Sequence, residues 1–382
     1  MPDAFEVNPW EVKGLVDYER LVTQFGTQKI DEPLHRKLLS YGKAPAALRR
    51  KFWYSHRDLN FALQEFDRKQ GFFLYTGRAP SGPMHIGHIL PFTLAKWFQD
   101  VFGVNLYIEI PDDEKFFAKQ GLSLEQIDQW VKDDILDIIA VGFDPNKTFI
   151  FQDREFIKQM YTPACRIAKR INGNLAKAVF GFNDGTNIGH LFYPALQIVP
   201  CFFEKKRCVI PAAIDQDPYW RIARDLAGGF GFPKPAQIHS KFVVPLTGME
   251  GKMSSSEAHH AILLSDSPAE VKEKVTKHAF SGGRTTLAEH RKLGGNPDVD
   301  VAFQWLQAFL EEDDAVVKKL YADYKSGKLL SGEMKQVLID KLNGFLGRHQ
   351  KARAQAAKLV DKFKYSGKLA KRMWDFSDMA NR

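Results

Sequence analysis

Cysteine is scarce: three residues in 382, Cys165, Cys201 and Cys208, with none in a CxxC spacing. An odd count without paired spacing excludes a disulfide framework and a structural zinc site built on cysteine, and the three read as buried thiols. Long apolar runs are also missing. No stretch reaches the eighteen residues that a membrane-spanning helix needs. The opening MPDAFEVNPWEVKG lacks the basic-then-apolar order of a secretion signal, so the expected location is the cytoplasm. Acid is short relative to base, 46 Asp and Glu against 54 Lys and Arg, and the net charge of +8 favours an anionic partner without identifying one. What is present in quantity is core material, 44% apolar and 13% aromatic, enough for two or three compact domains.

That material is ordered. Phe72 to Tyr75 reads as a short buried strand. Ile86, Ile89, Leu90, Leu94, Trp97, Phe98 and Val101 then recur at helical spacing. VNLYIEI, Val104 to Ile110, reads as the next strand and stops at Pro111, which completes a strand, turn, helix, strand unit of a parallel sheet. The theme returns with a strand near Cys208 to Ala213, a polar loop at Asp215 to Asp217 and a helix from about Pro218. QIHSKFVVPLTG supplies a further strand. The residues between the halves, about 112–206, read as an insertion. From SDSPAEVKEKV onward the pattern is helical; Ser267 stands as N-cap, Pro268 at the first helical position and Glu270 three residues beyond the cap. The expected fold is therefore α/β, a doubly wound parallel Rossmann-like catalytic domain (71–277) with an insertion. An extension (1–70) precedes it and an α-helical C-terminal domain (278–382) follows. The basic run from Lys341 to Arg372, in which Asp361 is the only acid, reads either as a solvated face or as a phosphate contact.

Two short motifs carry chemistry. GRAPSGPMHIGH, Gly77 to His88, lies between the first strand and its helix, where unpaired backbone N–H groups and the positive helix end favour phosphate. His85 and His88 stand three apart and offer imidazole N–H donors to a phosphoryl group gaining charge; Arg78 adds a fork of donors. Gly87 between the histidines leaves room for a flat ligand. Taken alone, such a pair also serves as a helix cap. Far along the chain, GKMSSS, Gly251 to Ser256, sets a lysine and three hydroxyls on a Gly-bounded loop suited to closing over departing phosphates.

Together the two motifs resemble the signatures of class I aminoacyl-tRNA synthetases. LYTGRAPSGPMHIGH, PDDEKFF, FYPALQ, AIDQDPY, KMSSS and KHAFSGGR, in this order, narrow the resemblance to the tryptophanyl-tRNA synthetases of the eukaryotic and archaeal type, from about Asn8 into the helical region. The resemblance implies activation of L-tryptophan by ATP with release of pyrophosphate, then transfer to tRNA(Trp), with Mg²⁺ on the phosphates. It implies catalytic roles for His85, His88, Lys252 and Arg78, and ATP contacts from Thr76, Gly77, Gly87, Ser254 and Ser255. No side chain is assigned to a resident metal. Ser255 replaces the second lysine of the general class pattern, a deficit left to Arg78 or Mg²⁺.

The same resemblance places Tyr75 against the indole, Glu114 and Gln197 at the α-ammonium and Gln216 at the substrate's polar end. Glu109 stands where some relatives have a glutamine that meets the indole nitrogen, and a carboxylate can accept the same N–H. Phe280 and Arg284 of KHAFSGGR are implied at the anticodon by stacking and by polar contact; Thr285 departs from the acid found in some relatives. Trp10 and its neighbours are implied in closing the ATP site, and a two-fold homodimer is implied as the assembly. Without the family pattern, Tyr75 also reads as core, Glu114 as a helix-terminal charge and Gln197 as a loop amide. Three alternatives stand beside this reading: a tyrosyl-tRNA synthetase, which shares fold and both signatures; a smaller cofactor adenylyltransferase; and a non-catalytic synthetase-like binding protein.

Overall fold

The computed structural model describes residues 5–7, 12–253 and 261–375. A short hairpin of β1 (Glu6–Val7) and β2 (Val12–Lys13) precedes a seven-stranded sheet. Its members are β3 (Gln28–Lys29), β4 (Trp53–Arg57), β5 (Phe72–Gly77), β6 (Leu106–Ile110), β7 (Thr148–Gln152), β8 (Arg207–Ala213) and β9 (Ala236–Ser240), in the spatial order β3-β4-β9-β8-β5-β6-β7. The five strands from β9 to β7 are parallel, with Tyr75 opposite Tyr107 and Tyr107 opposite Phe149. The parallel strands start in the middle at β5, step outward to β7 and return to β8 on the other side. The crevice between β5 and β8 is the switch point at which such sheets bind ligands.

Alternation along the central strands divides the interior. Leu74, Leu106, Ile108, Ile150 and Val209 feed one apolar core, while Phe73, Tyr75, Tyr107, Phe149 and Cys208 feed the other. The helical region packs into both. Trp305, Leu338, Leu342 and Phe363 join the first core, and Leu369, Ala370 and Met373 the second. Ser267 caps the Pro268–His278 helix and Glu270 reaches back, the reciprocal pair expected from the sequence.

Three readings need adjustment. β7, from KTFIFQ, is a full member of the sheet inside the segment read as insertion; its unbroken apolar run alternates with nothing polar because both faces are covered. β3 and β4, from the segment set ahead of the sheet, extend it antiparallel, with β4 pairing with β9. Cys201 and Cys208 are buried, but Cys165 is exposed, on a helix face that turns outward. Among the described residues no helix is long and apolar enough to cross a membrane.

Candidate active site

The crevice opens into a cavity of about 430 Å³. Tyr75, Thr76, Gly77, Arg78, His85, Gly87, His88, Glu109, Glu114, Gln197, Gln216 and Lys252 all line it, which brings together residues up to 177 positions apart, Tyr75 to Lys252. Ser254 and Ser255, and Trp10 near the N-terminus, lie outside the described residues. Phe280 and Arg284 lie elsewhere, past the end of the Pro268–His278 helix. Phe280 is 48% exposed, and Arg284 donates from Nε to the Gly294 carbonyl at 2.9 Å.

The turn after β5 is built by glycine. A Cβ on Gly77 would stand 2.7 Å from the Glu109 carbonyl oxygen, so any side chain there would force β5 and β6 apart. A Cβ on Gly87 would stand 3.1 Å from the His85 ring; the space left open at this glycine is taken by that imidazole. His85 is the extended N-cap of a 3₁₀ turn, Ile86–His88, which runs into the Ile89–Phe102 helix. The two imidazoles stack, centroids 3.5 Å apart and planes 19° from parallel, and the His85 N–H donates to His88 Nδ1 at 3.2 Å. Burial, with Arg78 and Lys252 nearby, pushes the His85 ring down to about 3 and holds His88 far below its usual range. Both rings are neutral. With Nδ1 of His88 accepting, its proton sits on Nε2, which is then a donor.

Arg78 is not a free fork. Its guanidinium is buried, pairs with Asp134 and donates to the Gly82 carbonyl at 2.7 Å. Burial outweighs the attraction of Arg78 and pushes the Asp134 carboxyl up to about 7. Asp134 belongs to the Leu124–Ile139 helix, so this ion pair fixes the glycine-rich turn to the crossover between β6 and β7. Lys252, about a third exposed, donates from its ammonium to Asp215 at 2.7 Å.

The far end of the cavity is aromatic and acidic. The Tyr75 hydroxyl contacts both the Glu109 carboxyl and, at 2.9 Å, the Gln197 carbonyl. Trp220 stands edge-on to Tyr75, centroids 5.3 Å apart. Burial pushes the Glu109 carboxyl up to about 8. Glu114 pairs with Lys115 at 2.8 Å. The side-chain oxygen of Gln197 is buried without a hydrogen-bond donor. Tyr219 and Trp220, three and four residues past Gln216 on the Asp217–Ala227 helix, also line the cavity and are absent from the sequence reading. The i, i+3 and i, i+4 spacing from Gln216 was the available signal. Asp134, 56 residues from its arginine, left none.

A family model described as tRNA synthetases class I (W and Y) matches residues 68–347. The chain belongs to this family. The tryptophan–tRNA ligase of Saccharolobus solfataricus is 57% identical over 376 residues, covering 98% of this chain and 99% of that protein. The tryptophan–tRNA ligase of Pyrococcus abyssi is 55% identical over 377 residues and covers 98% of each. Among solved structures, the tryptophanyl-tRNA synthetase from Giardia lamblia superposes with a TM-score of 0.86 at 37% identity, covering 91% of this chain and 95% of that one. The Rossmann-like catalytic fold of class I synthetases is thus the fold of this chain. The cavity at its switch point is the place to seek the family's chemistry.

Proposed function

We propose how this cavity performs the reaction of a tryptophan–tRNA ligase. The chain is an aminoacyl-tRNA synthetase: it joins L-tryptophan to ATP as tryptophanyl-adenylate, releasing pyrophosphate, and passes the aminoacyl group to tRNA(Trp). The reading is carried by one observation, the gathering of the glycine-rich histidine turn and Lys252 at the mouth of a single cavity that ends in Tyr75 and Trp220.

In this reading the indole lies against Tyr75 and Trp220 with its N–H toward Glu109, and Glu114 and Gln197 hold the α-ammonium. Gln216 meets the carboxylate side. The carboxylate oxygen attacks the α-phosphorus, a bond to the bridging oxygen breaks, and pyrophosphate leaves. Two anions meet in that step, so fixed donors supply the catalysis. His88 Nε2–H and the His85 ring, both neutral, donate to phosphoryl oxygens without adding charge. Thr76, Gly77 and Gly87 line the place of the nucleotide, whose phosphates meet the turn after β5. Lys252 moves from Asp215 onto the leaving pyrophosphate, with Ser254 and Ser255 following it in sequence. Arg78 acts by bracing the turn through Asp134. Mg²⁺ enters as part of the ATP substrate, on its phosphates.

Phe280 and Arg284 are assigned to the anticodon, and the exposed residues of the basic stretch to the tRNA backbone. That stretch is partly used internally: Arg353 pairs with Asp133 and with Asp137, and Lys364 with Glu155. The assembly is proposed as a cytoplasmic homodimer. The test is pyrophosphate exchange into ATP with each of the twenty amino acids, with and without tRNA. Tryptophan is expected to exceed tyrosine by at least about a hundredfold in efficiency; equal rates would overturn the assignment in favour of a tyrosyl enzyme, and no exchange at all in favour of a binding protein.

A further inference from the structure

The Tyr75 hydroxyl has one hydrogen and two neighbours. One, the Gln197 backbone carbonyl, can only accept, and it lies at 2.9 Å. The other is Oε2 of Glu109, closer still. If Glu109 were a carboxylate, both neighbours would be acceptors and one contact would be left without a proton. A proton on Glu109 removes the conflict, because its O–H then donates to the tyrosine oxygen.

The surroundings point the same way. Glu109 is 1% exposed, and Oε1 has no donor. Asp153, fully buried at the start of the Asp153–Ala168 helix, lies within hydrogen-bond reach of both Glu109 and Asp113, and neither of its oxygens has a donor. Among the described residues no cation pairs with any of these three carboxyls; Arg154 is taken by Asp112 and Asp128, and Lys115 pairs with Glu114. The other titratable groups facing Glu109 are Glu114, which pairs with Lys115, and Tyr75 from β5, Tyr193 from the Ile188–Ile198 helix and Tyr219 from the Asp217–Ala227 helix, the three tyrosines kept by burial as neutral phenols. Three carboxyls in contact, buried and without counter-charge, cannot all ionise.

Resting on the reading of the cavity as a tryptophan site, we propose that Glu109 meets the indole as a neutral carboxylic acid. Its O–H is donated to the Tyr75 oxygen, the Tyr75 hydrogen goes to the Gln197 carbonyl, and the second Glu109 oxygen remains an uncharged acceptor. A neutral carboxyl presents one acceptor and one donor, the same pair that a glutamine presents. The specificity element is thus the whole set, Tyr75, Glu109 and Asp153, with Asp153 as a positioning residue that helps retain the proton. Losing that proton would place an anion beside Asp153, whose own carboxyl burial pushes well above its usual range, and draw the Tyr75 hydrogen away from Gln197, so the pocket loses its shape and charge as pH rises.

The test pairs infrared difference spectroscopy with kinetics on the full chain. Wild type minus Glu109→Gln at neutral pH is expected to show the carbonyl band of a protonated buried carboxyl. The KM for tryptophan in pyrophosphate exchange is expected to rise with alkalinity in wild type, by up to roughly tenfold per pH unit above the apparent pKa of the set, and to stay flat in Glu109→Gln. Asp153→Asn, whose amide donates to Glu109 and eases its ionisation, should move the rise to lower pH. A carboxylate signature for Glu109 at neutral pH overturns the proposal, as does an alkaline rise that survives in Glu109→Gln. A protonated band of undiminished intensity in the variant also overturns it by assigning the whole signal to Asp153 or Asp113. If the band is present but wild type shows no tryptophan-dependent exchange, the tryptophan reading fails while the protonation stands.

Discussion

At the mouth of the cavity two stacked imidazoles have given up their protons; at its far end a carboxyl has kept one. The same cause acts on both. Removal from water penalises whichever form is charged, so the base is pushed down and the acid up. His85 falls to about 3 beside the cations Arg78 and Lys252, and Glu109 rises to about 8 beside Asp113 and Glu114. The difference teaches where charge is allowed in this site. It resides in ion pairs, Arg78 with Asp134, Lys115 with Glu114 and Lys252 with Asp215, and on the substrates, while the stacked imidazoles and Glu109 work as neutral donors and acceptors.

The comparison breaks most readily at its foundations. Asp134→Ala leaves the buried Arg78 guanidinium uncompensated and is expected to cost about 3–5 kcal/mol of stability in denaturant unfolding; a loss below about 1 kcal/mol would mean that the turn stands without its brace. Lys252→Ala removes the cation paired with Asp215 at the mouth of the cavity and should lower the exchange rate by about 10²–10³-fold, or about 3–4 kcal/mol. Its KM for tryptophan should change little, because the indole end is untouched. A large rise in that KM would show the two ends to be one. Trp220→Phe, at the indole end, should raise the KM for tryptophan by several-fold, on the order of 1 kcal/mol, and leave the KM for ATP in place.

The smallest effect sharpens the comparison through pH. His85 has a depressed folded value, so its contribution to stability is present above its ordinary 6.5 and is lost as pH falls toward about 3. Glu109 has a raised folded value, so its contribution is present below its ordinary 4.5 and is lost as pH rises through about 8. Melting temperatures measured across this range should show His85→Asn easing the acid-side decline and Glu109→Gln easing the alkaline one, each by roughly a few degrees. Identical pH profiles for either variant and wild type would remove that residue from the account.

Much of the fold was legible because short-range pattern carries it. The strand from Phe72, the helix from Ile86 to Val101, the strand ending at Ile110 and the Ser267 cap were visible from spacing alone. β7 was missed because a strand covered on both faces shows no alternation. β4 was missed because its partner, β9, lies 183 residues away from Trp53 to Ala236, and antiparallel pairing at that distance writes no local signature. The residues gathered at the cavity were legible for another reason: the glycine turn and the lysine loop are short motifs whose chemistry survives being read out of context. Trp220, Asp134 and Asp153 have no such motif, and their roles follow from what they touch.

Sequence by itself determined the parallel α/β character, the helical C-terminal region, the two motifs that meet phosphate and the family to which the chain belongs. Local preference and short motifs suffice for these, since each is encoded within a few residues. Tertiary structure alone decided which groups in the site carry charge. Whether His85, Glu109 or Arg78 is protonated, paired or free depends on burial and on partners far away in the chain. The protonation of a buried group is set by its surroundings, and no spacing in the sequence records them.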